Sequence, residues 1–199
     1  MTAPAASGPL PGFADPLHDS QRLFRQLLEA QAHPGRIVAV AAPLDLPPGP
    51  FGRAAIGTAL ALLDFETPIW LDREAAVLRP HLRFHCNCPT AEATQDAGFA
   101  FIGDPSAVPA LECFALGTDS YPDRSTTLVI EVEALAAAGN LILSGPGIRG
   151  QSRLRVAGLP AGFWAERAAL APLFPRGLDL ILTCGARLAA LPRTTRIEE

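Results

Sequence analysis

The feature that most constrains this chain is a succession of short apolar runs, each bounded by proline, glycine or polar residues. RIVAV (36–40), TPIWL (67–71), GFAFIG (98–103), STTLVIEVEAL (125–135), NLILSG (140–145), SRLRVAG (152–158) and LDLILTC (178–184) read as strands. Helical patterns separate the early runs. SQRLFRQLLEAQAHPG predicts a helix capped by Asp19 or Ser20, with Leu23, Leu27 and Ala30, joined by Phe24 and Leu28, as its apolar stripe and Pro34–Gly35 as its stop. GRAAIGTALALLDF reads as a buried helix, and REAAVLRPHL is helical on at least one side of Pro80. DPSAVPALECFALG (104–117) reads as a helix begun by Asp104 and closed by Gly117, and PAGFWAERAALAPLF as an amphipathic helix. RLAALPRT reads as a last strand, joined to LDLILTC at CGA. Helices alternate with strands early, and strands dominate after position 125. That order predicts a single α/β domain, a mixed sheet layered with helices and antiparallel at one end.

The 199 residues suit one domain with a large core: a flexible N-terminal arm over residues 1–16, rich in Ala, Pro and Gly, then one α/β domain over 17–199. The arm lacks the positive and apolar regions of a signal peptide, so the cytoplasm is the expected compartment and the four cysteines are expected to stay reduced. Ala54–Leu63, the longest uncharged apolar run, is too short to cross a bilayer, so no membrane partner is expected. A net charge of −4 argues against non-specific nucleic-acid binding, which needs a basic stripe.

The basic residues carry more information than their number. All 16 are arginine, and the chain has no lysine. No side chain can therefore form a Schiff base with pyridoxal phosphate or with a carbonyl substrate, and no P-loop lysine can reach nucleotide phosphates.

Three constellations invite chemistry. GPGIRG (145–150) spells the dinucleotide fingerprint, which would make the chain a nucleotide-binding oxidoreductase. The fingerprint requires a helix to follow, whereas QSRLRVAG alternates as a strand, so a glycine-rich link between antiparallel strands is the better reading. LRFHCNCP (82–89) groups His85, Cys86 and Cys88. Read as a strand, it turns both cysteines to one side and His85 to the other, with Arg83 sharing the face of His85. Zinc would need further ligands from the isolated Cys113 and Cys184, so no metal is expected. Arg149, Arg153 and Arg155 lie in one segment, and Arg193 and Arg196 flank Thr194–Thr195. Guanidinium forks suit phosphate or phosphonate oxygens, although most surface arginines are simply solvated.

In this order, FRQLLEAQAHPG, ALLDFETPIWL, LRFH, GTDSYPDRSTTLVIEVEAL, LSGPGI and FPRGLDLILTCGARLAALPRTTRIE closely resemble the PhnH family of phosphonate-metabolism proteins, from about Leu17 to the C-terminus. The resemblance implies the H subunit of the bacterial carbon–phosphorus lyase core complex. It implies a fold like a reduced pyridoxal-phosphate-dependent transferase without the cofactor, which the absence of lysine fits. It also implies a homodimer that joins the G, I and J subunits. That complex converts ATP and an alkylphosphonate to ribose 1-alkylphosphonate 5-triphosphate with release of adenine. The family supplies no catalytic residue to carry over, so the subunit is expected to be non-catalytic alone and to use no cofactor. RFH matches the family pattern whereas the cysteines of CNC do not. The ligand-site candidates for a phosphonate or nucleotide are therefore Arg83, His85, Arg149, Arg193 and Thr194.

Overall fold

A computed structural model describes residues 11–199. The first ten residues of the expected arm lie outside the described residues. Of the rest, Phe13 is buried in the core and bridges Leu44.

Helix α1 (Pro16–Ala32) starts a turn earlier than expected. Asp15 is the cap, its carboxylate accepting from His18 N at 3.1 Å, and Pro16 occupies the first helical position, where its missing N–H costs nothing. Leu23, Leu27 and Ala30 are buried as the spacing predicts, but Phe24 and Leu28 face outward. Helix α2 (Arg53–Leu62) is buried through its first two turns, and Gly57 lets α1 approach, since a Cβ there would lie 2.6 Å from a methyl of Leu23.

The main sheet follows β1 (Val38–Ala39), β2 (Ile69–Leu71), β3 (Phe99–Ile102), β4 (Thr127–Glu131), β7 (Asp179–Cys184) and β8 (Arg187–Leu191), in the spatial order β1-β8-β7-β4-β3-β2. Strands β2, β3, β4 and β7 are parallel, and β8 and β1 close one edge antiparallel. A mixed sheet with an antiparallel end is thus present. A second, three-stranded antiparallel sheet has the order β6-β5-β9, from β5 (Ala134–Ser144), β6 (Ser152–Ala157) and β9 (Arg196–Glu198).

Successive side chains of a strand point to opposite faces, and both faces of the main sheet are apolar. Phe101, Val129 and Ile181 join the core formed with α1, α2 and α3 (Arg79–Cys86). Ile102, Ile130, Leu180 and Leu182 join a second core with Leu135, Leu141 and Leu154 of the small sheet and Phe163–Trp164 of α4 (Phe163–Ala169). The result is helices, sheet, then sheet plus helix. The strands after position 125 therefore do not all extend one sheet: β5 and β6 leave it after β4 and cover its other face.

Three further expectations are corrected. Residues 104–117 form two short 3-10 turns, Pro105–Ala107 and Leu111–Cys113, because Pro109 lacks the N–H a continuing helix needs there and its ring clashes with the preceding turn. LRFHC belongs to α3, ended by Asn87 in the left-handed region (φ 52°), and not to a strand. RLAALPRT is a strand only to Leu191, where Pro192 stops it and the chain crosses to the small sheet as β9.

Candidate functional site

The five candidate residues lie in three places. Arg83 and His85 are on α3, where two positions are about 200° apart, so they do not share a face. Arg83 is exposed and lines a surface cavity of about 430 Å³ with Arg79, Asn87 and Thr90. His85 is half-buried, its ring centroid 4.5 Å from His81 and 4.9 Å from Phe84. His81 is buried, its Nε2 has no hydrogen-bond partner, and burial, then the neighbouring His85, pushes its pKa below the usual histidine value.

Helical spacing also explains the two cysteines. Leu78, Leu82 and Cys86 fall at intervals of four and point into the helical-layer core. Burial, with Cys88 and Asp64 nearby, pushes the Cys86 thiol up to about 12, and burial also raises Cys88. Their sulfurs lie 3.8 Å from Ala59 O and 3.9 Å from Leu82 O, so they pack as small apolar groups with weak S–H contacts. Among the described residues, no three His, Cys, Asp or Glu side chains are grouped to hold a metal.

Arg193 is tied into the fold. Its Nη2 donates to Asp179 Oδ2 and to Ser125 Oγ, both at 2.6 Å, and its Nη1 donates to Pro122 O at 2.6 Å and Pro175 O at 3.3 Å. Its Nε and backbone N reach Asp179 Oδ1 at 3.3 and 2.7 Å. Thr194 is half-buried, and its carbonyl lies against Gly145, whose added Cβ would approach it to 2.9 Å.

Arg149 is different, because it makes no hydrogen bond or ion pair among the described residues. It lines a cleft of about 420 Å³ with His33, Arg36, Gly147, Ser152 and Arg153. Arg36 is held by Glu29, and Arg153 Nη1 reaches Gly139 O at 3.4 Å. The cleft sits at the C-terminal end of α1, where the helix contributes about half a negative charge, so it attracts anions less than its arginines suggest. The glycine-rich loop lies across that end: Gly147 has φ 80°, and a Cβ there would meet Ala32 O at 2.1 Å. The loop joins antiparallel strands β5 and β6, so it opens no helix, and the oxidoreductase reading has no phosphate-binding helix N-terminus to rest on.

Open parallel sheets take ligands at the carboxyl ends of their strands. Here those ends are filled by the chain itself. Asp72, after β2, accepts from Ala75 N at 2.6 Å and from Gly103 N and Asp104 N at 2.9 Å. Glu131, ending β4, accepts from Thr183 Oγ1 and Gly185 N at 2.7 Å. Gly52 is pressed against Gly185 backbone, leaving 2.3 Å for a Cβ. Among the described residues, His18, His33 and His81 make no hydrogen bond to a serine, threonine or cysteine.

The sequence reading missed Arg167, which is 2% exposed on α4. Its spacing carried the signal, because it falls on the same helical stripe as Phe163, Trp164 and Leu170, all buried.

Comparison with known proteins supplies what geometry does not. The family model described as bacterial phosphonate metabolism protein (PhnH) matches residues 11–198. The alpha-D-ribose 1-methylphosphonate 5-triphosphate synthase subunit PhnH of Rhizobium meliloti (strain 1021) is 42% identical over 188 residues, 94% of each chain. The putative C-P lyase subunit protein HtxG of Stutzerimonas stutzeri is 32% identical over 178 residues, 89% of this chain and 85% of the relative.

Proposed function

The chain belongs to the bacterial phosphonate metabolism protein (PhnH) family, and from that membership we propose that it is the H-type subunit of a carbon–phosphorus lyase assembly in the cytoplasm. The subunit is required for joining an alkylphosphonate to the ribose of ATP and is not catalytic alone. The observation that carries this reading is 42% identity to the Rhizobium meliloti synthase subunit across 94% of both chains.

Its partners are a second copy of itself and the G, I and J subunits. Exposed apolar side chains support an assembled state: Leu17, Phe24 and Leu28 are 75%, 45% and 53% exposed on one side of α1, and Phe65, Phe84 and Phe174 also face outward. A reduced, cofactor-free transferase-like architecture is consistent with the parallel sheet closed by an antiparallel edge and with the absence of lysine. Of the five candidate residues, Arg83 and Arg149 are the two arginines that line surface cavities with no side-chain hydrogen bond or ion pair among the described residues, Arg83 beside Arg79 and Arg149 beside Arg36 and Arg153.

Deletion of the gene should abolish growth on methylphosphonate as sole phosphorus source, and expression of this chain should restore it. Purified alone it should release no adenine from ATP and methylphosphonate. Growth of the deletion strain, or adenine release by the isolated chain, overturns the proposal.

A further inference from the structure

Arg167 poses an electrostatic problem that the fold leaves unsolved. The residue is 2% exposed, and its hydrogen bonding among the described residues is one donation, from Nη2 to Pro192 O at 3.0 Å. Its Nε is buried without a partner. Asp179, the carboxylate that favours its charge, is already engaged at both oxygens by Arg193 and makes no ion pair with Arg167. A buried charge with a single neutral partner is costly, and an anion brought to it relieves that cost.

The same residue lines a cleft between α4 and β9 of about 220 Å³. Thr195, 4% exposed, lines it too, and its Oγ1 is likewise buried without a partner. Arg196 stands at the exposed edge, while Ala168 and Ala171 keep the opposite wall small. Arg167, Thr195 and Arg196 thus border one space below the usual size of a drug-like or nucleotide pocket, about 300 Å³ or more. We propose that this cleft is an oxyanion site: a tetrahedral phosphate or phosphonate group, free or at the end of a larger molecule, binds between Arg167, Thr195 and Arg196. Glu198 also borders the cleft and opposes the anion, which sets the sign of its own effect. The site is argued from these side chains alone and does not depend on the subunit role above.

The full chain is titrated with inorganic phosphate, methylphosphonate and ATP at ionic strength held constant with sodium chloride. Binding is read by calorimetry and by the arginine Nε–H resonances, the Arg167 signal being assigned by its loss in R167M. Saturable binding should shift that signal. The affinity should fall about tenfold or more in R167M, fall severalfold in R196Q, and rise in E198Q. R73Q, at an exposed position outside the cleft, should change nothing. T195V serves if R167M does not fold, and should also weaken binding severalfold. A response to phosphate and methylphosphonate assigns a free oxyanion, and a response to ATP alone assigns a terminal phosphate; both support the site. Absence of saturable binding of all three at ~10 mM, binding that leaves the Arg167 resonance unmoved, or equal affinity in R167M and T195V overturns it.

Discussion

Replacing Arg193 by methionine tests whether this residue holds the fold together or waits for a ligand. Methionine keeps most of the length and apolar stem but none of the five N–H groups. The guanidinium links three segments: the Pro122 carbonyl and Ser125, the Pro175 carbonyl with Asp179, and its own position after β8. Its side chain is 15% exposed and that of Asp179 is 22% exposed. Breaking a fully buried pair by removing one partner costs about 3–5 kcal/mol, and partial exposure places this pair at the low end. Asp179 keeps the bond from the residue 193 backbone, which softens the loss further. The expected cost is therefore about 3 kcal/mol, or a fall in Tm of about 6–12 °C for a chain of this size. R193K should recover less than half of it, since one ammonium cannot serve carboxylate, hydroxyl and carbonyls at once. A cycle with D179N should show a coupling of about 1–2 kcal/mol. Calorimetry and urea midpoints on wild type, R193M, R193K, D179N and the R193M/D179N double variant measure all of this. A Tm within about 2 °C of wild type for R193M, or no coupling to Asp179, refutes the clamp and returns Arg193 to the ligand-site candidates.

Cys86 should resist native alkylation at pH 8, because a thiol at about 12 is roughly one part in ten thousand thiolate there, and Cys88, which burial also raises, should label slowly; Cys113, which is exposed, should label first, and mass spectrometry identifies the modified site. His81 should make the fold acid-sensitive. Its folded pKa is depressed, so its contribution is fully present above the unfolded value near 6.5 and is lost as pH falls towards the folded pKa, at up to about 1.4 kcal/mol per pH unit. H81L should flatten that part of the stability–pH curve, and an unchanged slope below pH 6.5 counts against the argument. Gly147→Ala should destabilise by about 2 kcal/mol or more, since its Cβ would strike Ala32 O at 2.1 Å in a left-handed backbone. Gly150→Ala, with φ 76° and open space, should cost only about 1 kcal/mol, and equal urea midpoints for the two variants contradict the packing role.

The sequence by itself determined the positions of most strands, the family and the excluded side-chain chemistry, although STTLVIEVEAL divides between β4 and β5 and NLILS continues β5. Short runs such as FAFI and LDLILTC carry enough β-branched and apolar residues between breakers to specify strands locally, and the absence of lysine rules out a side-chain imine in any fold. Prolines fixed local geometry too, but their effect was underestimated at Pro109 and Pro192. Only the tertiary structure decided what each arginine does. Arg149, Arg167 and Arg193 are chemically identical in the sequence, yet one faces a cleft, one is buried almost unpaired and one is locked to Asp179. A guanidinium's role depends on dielectric and on partners brought from as far as 71 residues away, as with Pro122 and Arg193, and no local pattern encodes that distance. The same holds for His85. Whether it shares a face with Arg83 turned on a strand or a helix at LRFHC, and packing of Leu78, Leu82 and Cys86 against the core selected the helix.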